Sequence, residues 1–133
     1  MIKFTVYGIP QPQGSTRAFI PKGWKRAIIT SANAKLKPWR QEVSGAALVA
    51  MQAEPFMHGA LPVAVTIDFF FDRPKSVKSE HKTTKPDLDK LERGIFDALT
   101  GIVFKDDSQV IRSTTTKQFG SPARAEISIE VLP

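Results

Sequence analysis

Apolar and polar residues alternate near the two ends of the chain and in its middle. Ile2, Phe4 and Val6 alternate with Lys3 and Thr5, which predicts a half-buried strand ended by Gly8 and Pro10. Val63, Val65, Ile67, Phe69 and Phe71 alternate through "PVAVTIDFFFDRP", and Phe70 adds a second apolar face, so this segment predicts a central strand covered on both sides. "SQVIRSTTTKQFG" and "ARAEISIEVLP" predict two further strands, joined near Gly120 and Pro122 as a hairpin. Elsewhere the period changes. Trp39, Val43, Ala46, Ala47, Ala50 and Met51 form a helical stripe, predicting a helix from Pro38 to about Ala53, after a separate turn over 31–35. Leu88, Leu91, Ile95, Phe96 and Leu99 predict a second helix with Gly101 as its stop. The order strand, loop, helix, strand, helix, strand, strand predicts an α+β fold. Two helices pack on a small mixed β-sheet, in a single domain over residues 1–133.

The aperiodic segments carry the cations. "PQPQGSTRAFIPKGWKRAIIT" reads as a loop or loose hairpin that mixes Arg17, Lys22, Lys25 and Arg26 with Phe19 and Trp24. That composition suits phosphates and exposed bases, although the aliphatic residues serve equally to pin a hairpin to the core. "RPKSVKSEHKTTK" contains Lys75, Lys78, Lys82 and Lys85, with His81 read as an exposed loop residue or a phosphate contact. His58, in the loop "EPFMHGALP", has no partner nearby in the sequence.

The formal charge is +6, and the first 41 residues hold eight Lys or Arg and no acid. Such a surface either attracts polyanions, since each phosphate neutralised releases counterions, or is simply a solvated lysine-rich face; charge alone does not decide between them. The absence of cysteine excludes disulfides and thiolate metal sites. The apolar stretch from Leu61 to Phe71 is too short to cross a bilayer, and the chain starts without a signal-peptide pattern, so the expectation is a cytoplasmic protein with no membrane partner.

Against this basic background, six of the thirteen acids fall between Asp87 and Asp107. Asp87 and Asp89 would diverge by roughly 200° in mid-helix, but at a helix start with Asp87 as N-cap both reach the same volume. A well-capped helix start explains the pair equally well. Asp106 and Asp107 follow the same helix, and the spacing permits their convergence with the first pair without requiring it. If three carboxylates meet, a divalent cation relieves their repulsion, and an all-oxygen donor set favours Mg²⁺, with Mn²⁺ as substitute, over zinc. Lys90 and Arg93 follow on the same helix, as surface ion pairs with Asp89 and Asp97 or as cations for a scissile phosphate. Gly94 in mid-helix costs about 0.8 to 1.0 kcal/mol relative to alanine, so it implies close approach by another backbone, such as a partner helix.

"PDLDKLERGIFDALTG" followed by "FKDDSQV" resembles the signature of the RusA family of Holliday junction resolvases: D-x-D-N-L, a basic residue, F-D-A-L, then D-D-x-Q-[VI]. The close match spans about 25 residues. The resemblance implies a Mg²⁺-dependent homodimeric endodeoxyribonuclease, often carried by phages and prophages, that nicks four-way DNA junctions symmetrically in recombination and repair. It implies Asp87, Asp89 and Asp107 as metal-binding catalytic acids, with Asp106 adjacent and of open role. The family's asparagine is Lys90 here and its catalytic lysine is Arg93, so either cation is a candidate to assist. Arginine serves as a phosphate clamp but not as a proton donor. Arg17, Lys22, Lys25, Arg26, Lys78, Lys82 and Lys85 are the expected DNA contacts. The alternative is a non-catalytic branched-DNA-binding protein.

Overall fold

A computed structural model gives the elements in the order β1 (Ile2–Tyr7), β2 (Thr16–Phe19), β3 (Ile28–Ser31), α1 (Leu36–Ala53), β4 (Val63–Phe71), α2 (Leu88–Leu99), a 3-10 turn (Asp107–Gln109), β5 (Val110–Phe119) and β6 (Arg124–Val131). It describes residues 1–14, 16–20, 22–23, 25, 28–31, 33–53 and 60–133, without the side chains of 16–19, 28–31 and 53. Trp24, Arg26 and His58 therefore lie outside the described residues, and Arg17 is described only by its backbone.

β4 is the most apolar strand and takes a neighbour on each edge, β6 antiparallel and β5 parallel. β1 pairs with the far edge of β6, giving the sheet order β1-β6-β4-β5; β2 and β3 form a separate two-stranded hairpin. The fold is thus α+β, a four-stranded mixed sheet with two helices. The expected β5–β6 hairpin is not formed, because β4 lies between the two strands. Inserting β4 there buries its apolar run on both edges, and the β5–β6 connection crosses its end instead. Gly120 makes this crossing: its N–H donates to the Phe71 carbonyl at 2.9 Å, and a Cβ there would stand 2.6 Å from the Phe70 ring.

Val65, Ile67, Phe69, Ala125, Ile127 and Ile129 on the inner sheet face meet Val43, Ala47, Leu91, Ile95 and Leu99 from the helices in one core. Ser44 Oγ on α1 donates to the Ala98 carbonyl on α2 at 2.9 Å. Among the described residues no helix covers the other sheet face, so the expectation that β4 is covered on both sides holds only in part. Thr66 is exposed there, while Phe70 is shielded by the Arg124 guanidinium at 3.8 Å from its ring centre.

α1 begins at Leu36, two residues before the proline expected to start it. Pro38 still lies in the first turn, where its missing N–H has no intrahelical partner to lose. Asn33 closes the helix start: its Oδ1 accepts the Lys35 N–H at 3.1 Å and its carbonyl accepts the Leu36 N–H at 3.2 Å. α2 ends as expected. Thr100 has left helical geometry and Gly101 takes a φ of 84°, a conformation that suits glycine. Gly94 is approached by backbone, but that of its own chain. The Gln11 carbonyl oxygen lies 3.3 Å from where a Cβ would sit, and the Gln13 N–H donates to the Lys90 carbonyl at 2.9 Å. No partner helix is needed to explain this glycine.

Candidate active site

The loop leaving β4 returns to the sheet at Thr84–Pro86 and enters α2 at Asp87. Asp87 occupies the N-cap position with extended geometry (φ −69°, ψ 139°), yet its side chain makes no capping hydrogen bond. Capping therefore does not account for this carboxylate. It stands 3.8 Å from the Lys90 ammonium, in an exposed pair. Asp89 follows in the first turn, exposed and with no hydrogen bond or ion pair among the described residues. Both acids stand where the helix dipole is positive. Beside Asp87 is an open cavity of about 320 Å³ bounded by Pro12–Gly14, Lys85, Pro86 and Lys90. Gln13 faces it, and its Oε1 is buried with no hydrogen-bond partner among the described residues.

Asp107 lies elsewhere in the same chain. A strand parallel to β4 must start where β4 starts, and Val110 indeed pairs with Val63. The end of β5 is what reaches the α2 start: Lys117 Nζ donates to the carbonyls of Thr84 at 2.7 Å and Pro86 at 2.8 Å. Seven residues at ~3.3 Å each place Val110 roughly 23 Å from Lys117. In accord with this, no group of three acids able to hold a metal occurs among the described residues. The chain therefore presents the proposed triad as two parts, Asp87 with Asp89 at one pole of α2 and Asp107 at the other.

Asp106 and Asp107 differ in environment. Asp106 Oδ2 accepts the Ser108 hydroxyl at 2.6 Å, and Gln109 Oε1 accepts the N–H groups of Lys105 and Asp106 at 3.0 and 3.1 Å. Gln109 in turn donates to the Leu61 carbonyl, tying the turn to the sheet. Asp106 and Gln109 thus build a turn that presents Asp107, which is exposed and unpaired among the described residues. Two residues after the turn, Ile111 is the extra residue where the β4–β5 register shifts, and its side chain is 65% exposed on the sheet's edge strand.

Of the expected cations, Lys22, Lys25, Lys78 and Lys85 are exposed, as is Arg93. Lys82 is engaged within the chain. Its ammonium donates to Thr84 Oγ1 and the Lys85 carbonyl and lies 4.9 Å from the Phe71 ring centre. Burial first, and the nearby Lys117 second, lower its pKa from the usual lysine value. His81 is exposed, as expected. Of the two readings of the α2 cations, the Asp89–Arg93–Asp97 ion-pair ladder is absent among the described residues; Asp97 faces the groove between α1 and the end of α2. Lys117 and Glu92 were missed by sequence reasoning. Glu92 Oε2 accepts the hydroxyls of Ser113, at 2.8 Å, and Thr115, tying α2 to β5. The only sequence signal for Lys117 was a charge interrupting a threonine-rich strand.

Residues 10–130 match the family model described as endodeoxyribonuclease RusA. The chain belongs to the RusA endodeoxyribonuclease family. It is also similar to the Bacillus subtilis (strain 168) protein described as uncharacterized protein YqaN, with 36% identity over 140 aligned residues that cover 96% of this chain and 94% of that protein. The "PDLD" and "FKDD" segments that resemble the RusA signature both fall inside the matched region. No helix among the described residues is long and apolar enough to cross a membrane.

Proposed function

We propose that this RusA-family member is a Mg²⁺-dependent endodeoxyribonuclease that nicks four-way DNA junctions symmetrically as a homodimer in the cytoplasm. The observation that carries the reading is the start of α2, where two exposed carboxylates, Asp87 at the N-cap and Asp89 in the first turn, fall within one helix turn and Asp87 makes no capping hydrogen bond. The donor set suits a hard divalent cation: Asp87, Asp89 and the unpartnered Gln13 Oε1 are all oxygens, and no thiol exists in the chain. When bound, Mg²⁺ supplies charge neutralisation at the phosphate and activation of water. Asp87 and Asp89 hold it, while Lys90, already beside Asp87, and Arg93 supply positive charge to the non-bridging oxygens.

The third acid comes from a second copy. A two-fold axis near the middle of β5 sets the edge strands of two protomers antiparallel and brings the start of one to the end of the other. Asp107 of one protomer then faces Asp87 and Asp89 of its partner. The outer edge of β5, unpaired among the described residues, and the exposed Ile111 beside it support this contact. A dimer of this kind carries two equal sites related by the symmetry that a four-way junction also has. The exposed lysines of the loops at 22–25 and 78–85, with Arg17 and Arg26, hold the arms through phosphate contacts, which give affinity more than sequence preference.

The test is cleavage of a synthetic four-way junction in Mg²⁺, beside a linear duplex and a chelator control. Paired nicks at symmetric positions in Mg²⁺ alone are expected, with affinity falling steeply as salt rises. Junction binding without nicking in any divalent cation would leave a non-catalytic branched-DNA-binding protein.

A further inference from the structure

We propose that Lys117 is a positioning residue for the carboxylates at the start of α2, holding the backbone from which Asp87 projects; the inference rests on the nuclease reading above. Its ammonium donates to the Thr84 and Pro86 carbonyls, which bracket the peptide between Lys85 and Pro86. The Pro86 carbonyl belongs to the same planar peptide unit as the Asp87 N–H and Cα, so holding that oxygen fixes the plane from which the Asp87 side chain departs. Lys82 takes the carbonyl between them, that of Lys85, at 3.0 Å. Three consecutive carbonyls are thus turned onto two ammonium groups, in a segment with no helix or strand to orient it.

The arrangement is directional. Bonds to a charged donor are about twice as strong as neutral ones, and an ammonium has three N–H groups, so Lys117 has only one left for any other partner. Lys117 is half-buried, unlike the exposed Lys22, Lys25, Lys78 and Lys85, and its stem rises from β5, which Glu92 ties to α2 through Ser113 and Thr115. The lysine is therefore carried on the strand bonded to the same helix whose entry it controls. A carboxylate serving a metal must be placed to within a few tenths of an ångström, and groups that orient ligands typically account for 10- to 100-fold in metal affinity or activity.

The experiment compares wild type, Lys117→Met and Lys117→Arg. It measures Mn²⁺ binding without DNA, junction affinity in chelator as a function of salt, and kcat with KM for junction cleavage in Mg²⁺. Lys117→Met is expected to lower kcat and weaken Mn²⁺ binding by about 10- to 100-fold, with Lys117→Arg recovering part of both. The salt slope of junction binding stays unchanged, because no phosphate contact has been removed. Unaltered Mn²⁺ binding and kcat would overturn the inference. So would a slope reduced by about 0.9, the mark of one lost phosphate contact. If Lys117→Met fails to fold, the lysine ammonium resonances of wild type decide: Lys117 is expected to hold its shift when junction is added in chelator, and a shift like that of Lys85 overturns the proposal. A wild type that binds Mn²⁺ but cleaves no junction removes the nuclease reading, and the Mn²⁺ comparison still judges Lys117.

Discussion

Complementation between two inactive variants tests the shared site directly. Two oxygen ligands of one Mg²⁺, each at 2.0 to 2.1 Å, stand no more than about 4 Å apart. Within one chain, β5 separates the two poles of the acidic region by roughly 23 Å, a gap that no aspartate side chain spans. Asp89→Asn and Asp107→Asn homodimers should each be inactive. Mixed and allowed to exchange subunits, equal amounts give about half mixed dimers under random pairing. Each mixed dimer holds one site lacking both acids and one that is whole, so about a quarter of all sites are intact. The assay is nicking of a labelled junction after co-refolding, with the pair Asp87→Asn and Asp89→Asn as control, since those acids share one protomer and their mixture leaves no whole site. Restored activity should appear as single nicks, not paired ones. No recovery from the first mixture, with exchange verified by mass spectrometry of differently tagged chains, would refute the shared site.

Ile111→Glu should shift the mass measured by light scattering toward the monomer and abolish nicking while leaving the circular dichroism spectrum intact, because the side chain is exposed and contributes little to the monomer core. Gly94→Leu should lower the melting temperature by displacing the backbone at Gln11 and Gln13, without changing the mass. Asp107→Asn should abolish cleavage with stability changed by less than about 1 kcal/mol, since the group is exposed and unpaired, whereas Asp106→Ala should loosen its turn and lower activity only in part. The Lys82 ammonium should titrate below the usual lysine value, and Lys117→Met should move it upward by removing the lesser of its two causes. Because folding lowers this pKa, the unfolded chain binds more protons at position 82 in the interval between the two values. Stability from this group therefore rises with pH across that interval, and Lys82→Met should remove that contribution from the pH dependence of the melting temperature.

The periodic segments were legible because their side chains state which face is buried. Val63 to Phe71 and Leu88 to Leu99 needed only spacing to be recognised as strand and helix. Pairing partners were not legible in the same way. β5 and β6 each look like one arm of a hairpin, and nothing in their own residues reveals that β4 is inserted between them. The same limit applied to the acids. Spacing placed Asp87 and Asp89 at a helix start, but whether Asp107 lay near them depended on the direction of β5, a property of the sheet and not of the segment. Gly94 signalled a close approach by its cost in a helix, while the identity of the visitor, the chain at Gln11 to Gln13, came only from the fold.

The sheet order also governs how the chain acquires its structure over time. β1, near the start of the chain, has β6 as its sheet neighbour, and β6 also forms the antiparallel edge of β4. A chain extending from its first residue can pair β4 with β5, yet β1 stays without a neighbour and one edge of β4 stays open until residues 124–131 arrive. Contacts this distant in sequence carry a large loop-closure cost and slow the final collapse. β6 is thus the keystone strand, and a fragment ending before Arg124 would keep both the acidic helix start and the Asp107 turn while lacking the strand that locks them into a common frame.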